Sequence, residues 1–293
     1  MSKLLTIRGK SFDWGSRTYI MGVLNVNPDS FSDGGKFATL DAAIAQAIQM
    51  VISGVDIIDI GGESTKPGAI PVDERTELER VIPVIERIRQ HPEVQHIPIS
   101  IDTTKSTVAR SAIEAGADIV NDVSGGQFDD DMFTTVARLS VPYTMMHMRG
   151  TPATMQQLTD YDDVVGEIIA YFEMQIDRAV KAGIERAKII LDPGIGFAKQ
   201  YQQSIEIIRH LDRFESLDLP LLVGVSRKSF IGKILDQPDP NRRLWGTAAA
   251  CCAAIAGGAD ILRVHDVAEM VDVSRVADMM LRNRDSDKVS LHT

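Results

Sequence analysis

Cysteine is nearly absent from this 293-residue sequence: the only two, Cys251 and Cys252, are neighbours inside the small-residue run GTAAACCAAIAGG. A disulfide between adjacent residues would be strained and would break a helix, so no disulfide framework is expected and a reducing cytoplasm is the natural compartment. No run of about 18 strongly apolar residues is present to cross a bilayer, and the opening MSKLLTIRGK has no apolar signal-peptide core. A basic excess is missing too. The 31 Lys and Arg stand against 41 Asp and Glu, a formal net charge of −10, which argues against nucleic acid as the main partner because counterion release needs a basic face. An anionic small molecule is still possible where positive charge is concentrated locally. Familiar motifs are lacking as well: PGIGFAK lacks the third glycine of a dinucleotide fingerprint, and FIGKIL has neither the spacing nor the hydroxyl of a P-loop. GVSRKS misses the second glycine of a nucleophile elbow, and the six histidines show no zinc spacing.

What is there is an ordinary globular composition, 44% hydrophobic and 25% charged, in a length that an α/β barrel of about 250 residues could fill as one unit. One unit recurs: SGVDIIDIGG at 53–62, AGADIVNDVSGG at 115–126 and GGADILRVHDV at 257–267. In each, a glycine suits the left-handed position past a helix, and the Ile/Val run after it suits a strand buried on both faces. Strands are expected near 18–24, 57–60, 97–101, 119–120, 143–146, 189–191, 221–225 and 261–264, with amphipathic stretches such as TELERVIPVIERIRQ between them. Eight such units without a linker predict a single (β/α)8 barrel, a TIM barrel over 18–282, preceded by a short hairpin over 1–17 that plugs its N-terminal end and followed by a frayed tail at 283–293.

Active sites of such barrels stand at the C-terminal strand ends, and here nearly every apolar run ends in polar residues. The runs deliver Asn25, then Asp59 leading to Glu63, then Asp102, Asn121 with Asp122, His147, Asp192, Ser226 to Lys228, and Arg263 with His265. A barrel built only for stability would not place so many polar groups at one rim, since each needs a partner. Asp102, Asn121 and Asp192 could read the donor edge of a flat, amide-rich heterocycle, while Lys228, Arg263 and His265 form a cationic group suited to a phosphate. The Gly- and Pro-rich loops NVNPDSFSDGGKFAT and GGESTKPGAIPVD at the same mouth read as lids. Asp56, Asp118 and Asp260 fall at strand starts and read as structural.

The ordered motifs GVLNVNPDSFSDGG, DIIDIGGESTKPGA, ISIDTTK, IVNDVSGG, MMHMRGTPATMQ, ILDPGIGF, LLVGVSRKSFIG and GTAAACCAAIAGGADILRVHDV, over residues 22–267, resemble the bacterial-type dihydropteroate synthases of the pterin-binding barrel family. The resemblance implies a transferase that condenses a pterin diphosphate with 4-aminobenzoate. By it, Asp102, Asn121, Asp192 and Lys228 hold the pterin beside Met146 and Phe197, and Thr65 and Ser229 lie near the substrates. Arg263 and His265 take the diphosphate with Asn25, the Mg²⁺-linked position, and Asp33 joins Asp102 in favouring a pterin cation. A homodimer through the C-terminal helices is implied too. Departures from the family pattern are Lys66 for Arg, Ile195 for an aromatic and Asn27 for Thr.

Taken singly, Asp102 would be a cap for a helix starting near Thr103 or Thr104, Lys228 a solvated helix-start residue, Arg263 a salt-bridge partner of Asp59, and His147 structural. Rival functions are a methyltetrahydrofolate–corrinoid methyltransferase, a Lys228 Schiff-base aldolase, or a silent pterin-binding paralogue.

Overall fold

The computed structural model describes residues 4–26, 36–64, 68–69 and 71–282. Strands β1 (Leu4–Ile7) and β2 (Lys10–Asp13) pair antiparallel around Arg8 (φ 49°) and Gly9 (φ 75°). Left-handed backbone at both central positions matches the twist of the flanking strands, which is why a two-residue hairpin takes it and why glycine stands second.

Eight parallel strands follow: β3 (Tyr19–Asn25), β4 (Ile57–Gly61), β5 (Ile99–Asp102), β6 (Ile119–Asp122), β7 (Tyr143–Met146), β8 (Ile189–Asp192), β9 (Leu222–Val223) and β10 (Ile261–Val264). They pair in sequence from β3 to β8, and β10 pairs with both β3 and β9. A bridge between Leu191 and Leu221, with Leu191 N–H donating to Pro220 O at 2.9 Å, closes the ring. The expected barrel is therefore what forms.

Among the described residues the helices are α1 (Lys36–Ile52), α2 (Glu74–Gln90), α3 (Ser106–Glu114), α4 (Met132–Leu139), α5 (Val164–Lys181), α6 (Tyr201–Arg209), α7 (Ser229–Ile234), α8 (Leu244–Ala256) and α9 (Val267–Leu281). None is long and apolar enough to cross a membrane. The main core joins the outward faces of the strands to the helices. A second cluster fills the N-terminal end, where Phe12 of β2 and Trp14 just after it pack against Tyr19, tilted and edge-on respectively, in one cluster with Ile57, Ile119 and Ile261. The hairpin thus closes the floor of the barrel.

Boundaries depart from expectation for local reasons. β5 starts at Ile99 because Pro98 has no N–H to give, although its carbonyl still accepts Ile58 N–H at 3.0 Å. β9 is cut to two residues as the chain turns at Val225, whose carbonyl accepts Lys228 N–H. α3 begins at Ser106, and its amide goes to Asp129 Oδ2 at 2.7 Å, so Asp102 caps nothing.

The repeated aspartates pin the floor. Asp56 accepts from Ile20 N–H and is ion-paired to Lys10 and Arg17; Asp118 accepts from Ile99 N–H and pairs with Arg8 and Arg89; Asp260 accepts from Leu221 N–H and Gly15 N–H. Each carboxylate holds the first amides of the strand beside its own.

Candidate active site

Inward positions alternate along each strand, and their last members meet at the C-terminal mouth. Asn25, Gly61, Asp102 and Asn121 stand side by side in register across β3 to β6. One layer below, Asp59 is fully buried and accepts from Arg263 Nε at 2.6 Å and Asn121 Nδ2 at 3.2 Å. Arg263 gives a terminal nitrogen to Asp102 Oδ2 at 2.7 Å. A single guanidinium therefore bridges two carboxylates at the centre of the mouth. Since Asn121 Nδ2 is engaged below, its amide is turned to offer the oxygen to the other side.

Burial pushes the Asp102 carboxyl up to about 7; Arg263 pulls against this, and Asp59, Glu77 and Asp122 add to it. Asp192, at the end of β8, accepts Gly194 N–H at 2.8 Å and is also pushed up by burial, against that bond and the charge of Lys228. Lys228 is the N-cap residue of α7, but its ammonium is not solvated: it lies 4.2 Å from the centroid of the Phe197 ring. Burial takes it down to about 8, opposed by Asp192. His265 Nδ1 lies 3.0 Å from Ser226 Oγ, and burial followed by the charge of Arg263 takes the imidazole down to about 4. This corrects the expected trio of cations. In the protein alone at neutral pH His265 is uncharged, and the charge of Arg263 is matched by Asp59 and Asp102.

Asn121, Asp192, Lys228, Arg263 and His265 line one cleft, with Met146, Ile195 and Phe197 as its apolar walls. Asp102 lines an adjoining hollow beside Thr103 and Lys105 and reaches the cleft through Arg263. Ser229 is exposed on the first turn of α7, and Asn25 is half-buried at the end of β3, beside Gly61. Asp33, Thr65, Lys66 and Asn27 lie outside the described residues. Asp122 points away from the mouth and holds a turn, accepting from Ser124, Gly126 N–H and the Tyr143 hydroxyl.

Asp59 is the central residue missing from the expected site. Its signal was the shared parity of positions 59 and 61 in DIIDIGG, which puts it on the inner face. Among the described residues no three His, Cys, Asp or Glu side chains stand close enough to hold a metal ion. Asn25 offers one neutral oxygen, a donor set that suits Mg²⁺ when substrate phosphates supply further ligands.

A family model described as pterin binding enzyme matches residues 21–265. Dihydropteroate synthase of Synechocystis sp. is 57% identical over 271 residues, covering 92% of this chain and 93% of that one. The crystal structure of dihydropteroate synthase from Clostridium difficile in the presence of pteroic acid superposes with a TM-score of 0.87 at 46% identity, covering 93% of this chain and 100% of that one. The Xanthomonas albilineans enzyme with 4-aminobenzoic acid gives 0.87 at 40% identity over 96% and 98% of the two chains. With the family model spanning the barrel and these relatives matching it end to end, the chain belongs to the pterin-binding enzymes and, among them, to the dihydropteroate synthases.

Proposed function

We propose that this protein condenses 6-hydroxymethyl-7,8-dihydropterin diphosphate with 4-aminobenzoate, giving 7,8-dihydropteroate and diphosphate for folate synthesis. The observation that carries this reading is the convergence of Asn121, Asp192 and Lys228 on one cleft whose centre is the Asp59–Arg263–Asp102 bridge. Asp192 and Asn121 accept from the ring N–H and exocyclic amine of the pterin, and Lys228 donates to its carbonyl. Met146 and Phe197 cover the ring.

The C–O bond to the diphosphate breaks first, and its electron pair leaves with the anion. The positive charge left on the methylene spreads into the pterin, where Asp102, with Asp33 from the first lid, favours it. The arylamine lone pair then forms the C–N bond, and the amine gives up a proton. Arg263 and His265 receive the departing anion; a diphosphate beside His265 raises its pKa and so recruits a proton to the imidazole. Mg²⁺ bound with the diphosphate at Asn25 would neutralise part of the leaving charge. Thr65 and Ser229 bind at the aminobenzoate side, Ser229 from its exposed place at the mouth.

The free thiols of Cys251 and Cys252 suit a reducing cytoplasm. The exposed Val276 and Met280, one turn apart on α9, suit a homodimer contact. The test of function is diphosphate release from the pterin diphosphate with Mg²⁺, with and without 4-aminobenzoate. Dihydropteroate should appear only with both substrates, and failure to form it would contradict the reading.

A further inference from the structure

Lys199 is buried, and no carboxylate among the described residues lies within ion-pair distance of it. Its amine nitrogen instead stands within hydrogen-bonding distance of three polar atoms: it donates to Phe197 O at 2.9 Å and to His147 O at 3.3 Å, and it shares a hydrogen bond with His147 Nδ1 at 2.9 Å. Which of Nζ and Nδ1 donates in that last contact is set by the tautomer of the imidazole. A methionine of similar length would fill the place without the desolvation cost of an amine. That cost is met at one spot in the barrel, directly behind the pterin cleft.

The acceptors define what is held. His147 follows Met146, a wall of the cleft, and its N–H donates to Asp192 O at 2.9 Å. Phe197 lines the same cleft and packs against the apolar cluster that holds Met146, and Phe197 N–H closes a turn on Gly194 O at 3.0 Å. Gly194 has φ +68°, and a Cβ added there would lie 2.0 Å from His147 O, so the loop after β8 passes against the end of β7 with no space between. Its own N–H holds Asp192 Oδ1. Lys199 is the side chain that ties the two segments together.

We propose that Lys199 is a positioning residue for the pterin: by clamping the end of β7 to the loop after β8 it sets the distance between Met146 and Phe197 and the aim of Asp192. The inference rests on the reading of the cleft as the pterin site. Burial takes Lys199 well below its usual range, and burial likewise takes His147 down, which fits a clamp made of dipoles instead of an ion pair.

The test is calorimetric titration of 6-hydroxymethyl-7,8-dihydropterin into wild type, Lys199→Met and Lys199→Gln, with melting temperature and the two KM values measured alongside. The clamp predicts pterin dissociation constants raised about tenfold or more, from loss of the hydrogen bonds that join the two segments. The KM for 4-aminobenzoate should stay unchanged, and Lys199→Gln, which can still donate two hydrogen bonds, should lose less than Lys199→Met. Unchanged pterin affinity in either folded variant would overturn the proposal. Equal rises in both KM values, tracking a loss of melting temperature, would overturn it too, and so would failure of both variants to fold, since Lys199 would then be a residue of the fold. Absence of pterin binding by wild type would strike the functional reading itself.

Discussion

Aspartates stand at both ends of the barrel strands, and the two sets behave in opposite ways. At the N-terminal end Asp56 is held below the usual carboxylate range by Arg17 and Lys10, although burial pushes it up. At the C-terminal end burial wins, and Asp102 rises to about 7 with Asp192 shifted the same way. The linkage signs follow. Asp56 adds stability that is present above its unfolded value and is lost as pH falls through its lowered folded value. Asp102 does the reverse: between 3.8 and about 7 the folded chain binds the proton more tightly than the unfolded one, so stability declines as pH rises through that window. One residue type secures the fold at the floor and costs stability at the mouth, where Asp102 is buried against Arg263.

The largest expected break in this contrast is Asp102→Asn, which removes the charge and leaves the Arg263–Asp59 pair in place. Turnover should fall about 10²- to 10³-fold, the scale for losing one electrostatic stabiliser of a transition state, with unfolding free energy at neutral pH unchanged or higher. Asp192→Ala should weaken pterin binding by roughly 1.5–3 kcal/mol in a titration, without a matching loss of stability. Asp56→Ala belongs to the other end: it leaves the buried Ile20 N–H without its acceptor, at a cost of about 1–3 kcal/mol in denaturant unfolding, while turnover per folded molecule holds. The smallest effect is in pH. If ionised Asp102 is the working form, kcat/KM should drop about threefold between roughly pH 7.5 and roughly pH 6.5, with a second limb as Lys228 loses its proton above about 8. A flat profile across that range would sever Asp102 from the chemistry.

The contrast itself was half legible in the sequence. The repeated Gly-x-Asp units announced Asp56, Asp118 and Asp260 as structural because each belongs to a local helix-to-strand connection, and the polar strand ends announced Asp102, Asn121, Asp192 and Lys228 because the barrel rule fixes where strands end. The helix α4 was missed and α7 was legible only as a helix start at Lys228, since eight and six residues give too short a stretch for periodicity to show. The Arg263–Asp59 salt bridge was open to sequence reasoning as one reading of Arg263 alone, and it forms; that the same guanidinium also reaches Asp102 was not, because no local pattern reports a pairing across 161 residues. Lys199 was hidden likewise: as a lone lysine in PGIGFAK it looks solvated, and only the approach of β7 supplies its acceptors. The neutral state of His265 depends on burial and on Arg263, which are properties of the assembled mouth.

The most direct test of the division between the two ends is diphosphate release per folded molecule, measured for Asp56→Ala and Asp102→Asn beside their unfolding free energies. The account predicts a crossed result: Asp56→Ala loses stability and keeps turnover, whereas Asp102→Asn keeps stability and loses turnover. Turnover falling in step with stability in both variants would contradict it.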